Sequence, residues 1–315
     1  MNVEQFKQDV LEGLSQHPQK TLPAKYFYDA KGDSLFIQIM AMPEYYLTNA
    51  EMDIFKNKSF ELIVSLGMDK NKHYEIIELG AGDGTKTVEL LKALVNQAYK
   101  FDYLPVDISP NVLNKLGDMM SSTIPGLNIK PKTGDYFNVL EQLKVDHIPK
   151  IVLFLGSNIG NLKDHEAQEF INHLSSSLKT GDKIVLGVDL IKSREKVLPA
   201  YNDAQGITRE FNLNLLDRIN RELGADFNRD QFEHAPCYKE EEGIAKSFLR
   251  SKKDQVVTVA GKSFHFDEGE TIHTEISRKY NDEVLNKILS GSGLSVVGKI
   301  MDSESLFADY ILECN

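Results

Sequence analysis

The 315-residue sequence predicts an α/β fold, an open doubly wound and mostly parallel sheet accompanied by a second α+β lobe. Three observations predict it. From about residue 74, short β-branched runs alternate with helix-length stretches, the pattern of βαβ units. One of those runs ends in a glycine turn that opens a helix, in EIIELGAGDGTKT. After a further helical region, the C-terminal third turns to β patterns.

The N-terminal MNVEQFKQDVLEGL places Val3, Phe6, Val10 and Leu14 on one stripe, an amphipathic helix with acids among its apolar positions and no signal-peptide character. The segment up to about residue 60 adds helix, a turn expected at Lys31-Gly32-Asp33 and an aromatic-rich stretch. Strands are expected at 74–79, 101–106, 127–132, 150–155 and 183–188, with helices at 85–97, 111–120, 137–143 and 165–178 between them. Crossovers of this kind are right-handed, so a doubly wound sheet follows, and ligands of such sheets sit at the carboxyl ends of the strands. Residues 193 to about 250 read as helix and loop, with FNLNLLDRINREL a helix by its apolar spacing and KSFLRS a strand segment. Further strands are expected at 255–260, 262–267, 271–280, 294–302 and 307–314. The expected division is a core of residues 61–192 and 281–315, flanked in sequence by the two parts of a second lobe, 1–60 and 193–280.

Composition narrows the chemistry. Lys+Arg is 36 and Asp+Glu is 47, a formal net charge of −11, and no run of Lys or Arg exceeds two, which argues against nucleic acid and membrane surfaces as partners. Two cysteines, Cys237 and Cys314, support neither a disulfide framework nor a cysteine zinc site, so a cytoplasmic setting is expected. The apolar run Ile151–Leu155 is far short of the roughly 20 residues that span a bilayer. His165 and His173 lack HExxH spacing, and no metal is expected. A monomer is expected.

In the glycine turn, Gly80, Gly82 and Gly84 let the backbone turn tightly and approach a ligand. A dinucleotide fingerprint would place a glycine where Thr85 stands, so a nicotinamide cofactor fits poorly. Asp107 closes the second strand, where a carboxylate can accept both ribose hydroxyls of an adenosine, and Gly134-Asp135-Tyr136 follows the third, suited to bracket an adenine. These three strand ends in order resemble the cofactor pocket of class I S-adenosylmethionine-dependent methyltransferases. The fourth strand ends in FLGSNIGNL, where Asn161 has an amide that can accept from an amine and donate to a carboxylate. The Asn/Asp-Pro-Pro-Tyr of many base-modifying enzymes is missing here, which disfavours a base-flipping activity.

Taken with LPAKYFYDAKGDSLFIQIMAMPEYY, GVDLIKS, LPAYNDAQGIT, FNLNLLDRINRELGADF and HTEISRKY, these motifs resemble the histidine-specific Nα-methyltransferases of ergothioneine biosynthesis over roughly residues 20 to 312. The resemblance implies a class I methyltransferase core with a substrate lobe, S-adenosyl-L-methionine as cofactor, and three successive methyl transfers to the α-amino group of L-histidine. It implies that Tyr45 and Tyr201 hold the substrate carboxylate, that Asn161 binds the α-amino and carboxylate groups, and that Glu275 and Ser277 bind the imidazole. Tyr28 matches a tyrosine near the amine and cofactor, and Gly80, Gly82, Lys86, Asp107, Asp135 and Tyr136 match cofactor positions. Glu275 and Ser277 stand two apart on an expected strand and so share a face, where a carboxylate and a hydroxyl can receive the imidazole N–H groups. The glycine loop Gly-Ala-Gly-Asp-Gly-Thr-Lys-Thr departs from the family's usual G-S-G form, and in KSFLRS Ser247 stands where a Met is common. Alternatives at this stage are N-methylation of another aromatic amino acid or related amine, and an S-adenosylmethionine-binding protein without catalysis.

Overall fold

The computed structural model describes residues 2–143 and 147–315, which divide into two compact units. One holds the chain up to Tyr46 together with Lys192–Arg278; the other holds Leu47–Ile191 and Lys279–Asn315.

The second unit is built on a seven-stranded sheet in the order Leu294–Met301, Phe307–Cys314, Lys183–Asp189, Lys150–Phe154, His73–Leu79, Lys100–Asp107, Lys132–Thr133. The last five strands run parallel, and Phe307–Cys314 lies antiparallel to Lys183–Asp189. Alternation along each strand sends residues to opposite faces. Ile77 and Leu79 pack with Ala167, Ile171 and Leu174 of helix Asp164–Ser176 on one face. Ile76, Ile151 and Leu153 pack with Leu90, Leu91 and Leu94 of helix Thr87–Asn96 on the other. Helices on both faces make this the doubly wound sheet expected. Chain order reverses at His73–Leu79, so the glycine loop leaves the sheet at its topological switch point.

Several expectations are corrected. The third parallel strand, expected at 127–132, is reduced to Lys132–Thr133 and a single bridge between Tyr103 and Ile129, because Pro131 has no N–H to donate to the ladder. Lys31-Gly32-Asp33 is not a turn but the start of helix Ala30–Ala41. Asp29 caps that helix by accepting from the Gly32 N–H at 2.8 Å, and a Cβ on Gly32 would lie 1.8 Å from the Phe27 carbonyl, so glycine serves close packing there. Residues 47–60, expected in the second lobe, belong with the large sheet, since Ala50, Ile54 and Phe55 bury themselves on its face. Helix Asp282–Leu289 was not anticipated; Asn281 caps it and Val284, Leu285 and Ile288 close the opposite face.

The other unit carries a five-stranded sheet in which Ile244–Ser251 is central. It pairs with Thr271–Arg278 on one side and with Phe232–His234 and Cys237–Lys239 on the other, two short strands where only helix and loop were expected. Helix Ile207–Leu223 supplies Phe211, Leu215, Leu216 and Ile219 to the core of this unit.

Candidate functional site

In the sheet unit, the carboxyl ends of three strands converge. Gly80 and Ala81 both donate backbone N–H groups to the Val106 carbonyl, at 2.9 and 3.4 Å, and Gly134 donates to the Asp107 carbonyl at 3.1 Å. Gly80 has φ +72°, and a Cβ there would stand 2.7 Å from the Tyr136 hydroxyl. Gly80, Asp107, Gly134 and Tyr136 are thus gathered, with a cradle at Gly80 that a side chain would fill. Gly82, at φ +54°, faces open space. Asp107 Oδ1 accepts from the Ser109 N–H at 2.9 Å, and Asp135 Oδ1 accepts from the Phe137 N–H at 3.0 Å. Burial pushes the Tyr136 phenol up, and the negative charges of Asp107 and Asp135 add to it. Beside Asp107, Ile108 is 78% exposed, an apolar side chain at a ligand-facing strand end.

Lys86 does not join this group by a hydrogen bond. It stands at the start of helix Thr87–Asn96 and pairs with the buried carboxylate of Glu51. Asn161 ends the 3₁₀ turn Asn158–Asn161 with its side chain exposed. The turn itself is fixed: Ser157 adopts φ +56° and its Oγ accepts from the Asp189 N–H at 3.0 Å.

The remaining candidates lie in the other unit. The Tyr201 hydroxyl donates to Ser277 Oγ at 2.8 Å, both side chains being buried. Strand Thr271–Arg278 carries an irregularity between His273 and Glu275: His273 faces Phe248 across the ladder, yet Glu275 faces the next residue, Ser247. Thr274 is the extra residue of this bulge, and its hydroxyl donates to Asn212 Oδ1 and to the Ser247 carbonyl, each at 3.0 Å. Glu275 and Ser277 therefore share a face with Ser247, which is 1% exposed and whose hydroxyl has no hydrogen-bond partner.

An aromatic group adjoins them. The Tyr28 ring meets Phe36 and Phe211 edge-on at 5.5 and 5.8 Å, and Tyr45 meets the same Phe36 at 6.5 Å. The Tyr28 phenol is pushed well up by burial around its hydroxyl, then by the charges of Glu275 and Asp33, so it stays protonated at neutral pH. Glu275 and Tyr28 are electrostatic neighbours. The structure thus gathers Tyr28 with Tyr45 through Phe36, and Tyr201 with Ser277.

Sequence reasoning missed Glu51, Phe36 and Phe211. Glu51 left a legible trace, a charge inside the apolar stripe of Leu47, Ala50, Ile54 and Phe55. The two phenylalanines looked like ordinary core residues.

A family profile described as "Histidine-specific methyltransferase, SAM-dependent" matches residues 6–314. The chain is 39% identical over 221 residues to the histidine N-alpha-methyltransferase of Mycolicibacterium smegmatis, covering 70% of this chain and 66% of that protein. It is 36% identical over 218 residues to the enzyme of the same name from Mycobacterium tuberculosis, covering 69% and 66%. The matched region thus spans just under two thirds of these curated relatives. A 4-dimethylallyltryptophan N-methyltransferase of Claviceps fusiformis is 29% identical over 202 residues, covering 61% of this chain and 56% of that protein. With the profile running almost from end to end, the chain belongs to the family of SAM-dependent, histidine-specific methyltransferases.

Proposed function

We propose that this chain methylates the α-amino group of L-histidine three times, giving the trimethylated betaine, with S-adenosylmethionine as methyl donor. The observation that carries the choice of histidine is the buried Tyr201–Ser277 hydrogen bond beside Glu275 on one strand face. The Ser277 hydroxyl is of a kind that donates as well as accepts, whereas the Glu275 carboxylate only accepts. Together they suit an imidazole, which presents one donor and one acceptor nitrogen in its neutral form.

The residues at the strand ends fit the donor. Gly80 and Gly82 leave the loop backbone open, Asp107 offers its second carboxylate oxygen to ribose hydroxyls, and Asp135, Tyr136 and Ile108 offer a hydrogen bond and apolar surface to an adenine. Lys86 is a cation suited to the carboxylate of the donor's amino-acid tail. S-adenosylmethionine, when bound, supplies an electrophilic sulfonium methyl group.

The acceptor's amine needs no strong base. A peptide's α-amino group has a pKa of about 7.7–8.0, and the carboxylate of a free amino acid holds its amine above that, so the neutral amine that reacts is a minor fraction near pH 7, formed by loss of a proton to water. Tyr28, its phenol held protonated, serves as a hydrogen-bonding guide for that amine and not as a phenolate base. Asn161 takes the amine and carboxylate through the two ends of its amide, and Tyr45 donates to the carboxylate, while the one proton of Tyr201 goes to Ser277. With no tryptophan in the chain, the fixed cation of the product is met by tyrosine and phenylalanine faces. We place the reaction in the cytoplasm of the cell and assign it to the monomer; among the described residues no helix is long and apolar enough to cross a membrane.

A second reading, an acceptor with a larger aromatic side chain, is favoured by one observation, the small, buried and unpartnered Ser247 opposite Glu275. Incubating the chain with S-adenosylmethionine and each of the common amino acids plus histamine, with products read by mass, separates the two. Histidine alone gains methyl groups on the first reading, and histamine, lacking the carboxylate, stays unmodified. Preferential methylation of tryptophan would establish the second.

A further inference from the structure

Glu51 lies on the buried side of helix Tyr46–Asn57, among Leu47, Ala50, Ile54 and Phe55, and is itself 0% exposed. A carboxylate withdrawn from water is costly unless it is both paired and hydrogen-bonded. Here it is both. Lys86 forms an ion pair with it, and the Gly156 N–H donates to its two oxygens at 2.8 and 3.0 Å. Room for the carboxylate comes from a glycine inside a sheet strand, where that residue is otherwise unfavourable: a Cβ on Gly187 would lie 2.2 Å from Glu51 Oε1 and 3.0 Å from Asp309 Oδ1. Asp309 is fully buried beside them, and burial and the charge of Glu51 push its carboxyl well up, away from the charged form. Burial works against the Lys86 ammonium, but the charge and hydrogen bond of Glu51 outweigh it and keep the group charged.

The two partners of Glu51 belong to different ligand-facing loops. Lys86 follows the glycine turn, and Gly156 begins the loop that carries Asn161. We infer that Glu51 is a positioning residue, joining Lys86 to the Gly156 backbone so that the ammonium is set for the carboxylate of the donor's amino-acid tail and the donor is held in register with the Asn161 loop. This rests on the reading of Lys86 as a ligand of S-adenosylmethionine.

Calorimetric titration with two probes tests it: S-adenosylhomocysteine, which has the amino-acid tail, and methylthioadenosine, which is the same thioether nucleoside without it. E51Q keeps the shape and removes the charge; losing one charge-assisted contact to Lys86 weakens S-adenosylhomocysteine binding by about tenfold or more, while methylthioadenosine binding stays within about twofold. E51D, which keeps the charge but withdraws it by one methylene, shows the same selective loss and serves if E51Q is too unstable to purify. Unchanged S-adenosylhomocysteine affinity in the variants overturns the proposal. Equal weakening of both probes also overturns it, since that is what a merely structural role produces. Failure of the unmodified chain to bind either probe would instead overturn the donor reading on which the proposal stands.

Discussion

Glu78 shows how a single buried side chain sets a measurable property of the sheet unit. It ends the strand before the glycine loop, fully inside the protein, with the Thr87 hydroxyl at 2.6 Å and the Tyr103 hydroxyl also bonded to it. Burial raises its carboxyl to about 7, against the opposing pull of Thr87, Tyr103 and Lys86. An unfolded glutamate titrates near 4.3, so between these values the folded chain holds a proton that the unfolded chain has lost. The stabilisation is therefore complete below about pH 4 and declines as the pH rises to about 7. E78Q stays neutral throughout and removes this decline, a difference of roughly 4 kcal/mol across the window. Thermal unfolding of both proteins from pH 5 to 8 checks it, and parallel profiles would show that Glu78 is not held protonated.

At the scale of an element, the bulge of strand Thr271–Arg278 decides which side chains share a face. With strict alternation His273, Glu275 and Ser277 would all point one way. The extra residue Thr274 instead leaves His273 opposite Phe248 and turns Glu275 and Ser277 to the face of Ser247. Thr274 is tied in place by Asn212 and by the Ser247 carbonyl. T274V keeps the volume and leaves those acceptors without their donor, at a cost of about 1–3 kcal/mol. The KM for histidine should rise severalfold while that for S-adenosylmethionine is unchanged. A lower Tm with an unaltered histidine KM would mean that the bulge stabilises the strand without aiming Glu275. The two-residue spacing of Glu275 and Ser277 was legible in the sequence, because it survives on the far side of the bulge. The bulge was not, since one extra residue leaves no mark in a period of two. Pro131 was legible in principle: a residue without an N–H in the middle of an expected strand announces a broken ladder. Lys31-Gly32-Asp33 misled for the opposite reason, since glycine there answers to the nearby Phe27 carbonyl and not to a turn.

For the whole molecule, the order of strands and helices around the glycine loop was readable because each element carries its own period and its own punctuation. What was not readable depends on partners distant in sequence. Glu51 acquires its meaning from Lys86, Gly156 and Gly187, and the short strands Phe232–His234 and Cys237–Lys239 exist only because Ile244–Ser251 gives both a ladder. The segments of both units are interleaved along the chain, so cutting it into consecutive halves would disrupt each. The net charge of −11 repels polyanions. The most direct measurement is fragmentation mass spectrometry of L-histidine incubated over time with the chain and S-adenosylmethionine. One, two and then three methyl groups are expected, all on the α-nitrogen, with the trimethylated form as the end product. Methylation on a ring nitrogen, or none on histidine at all, would contradict this.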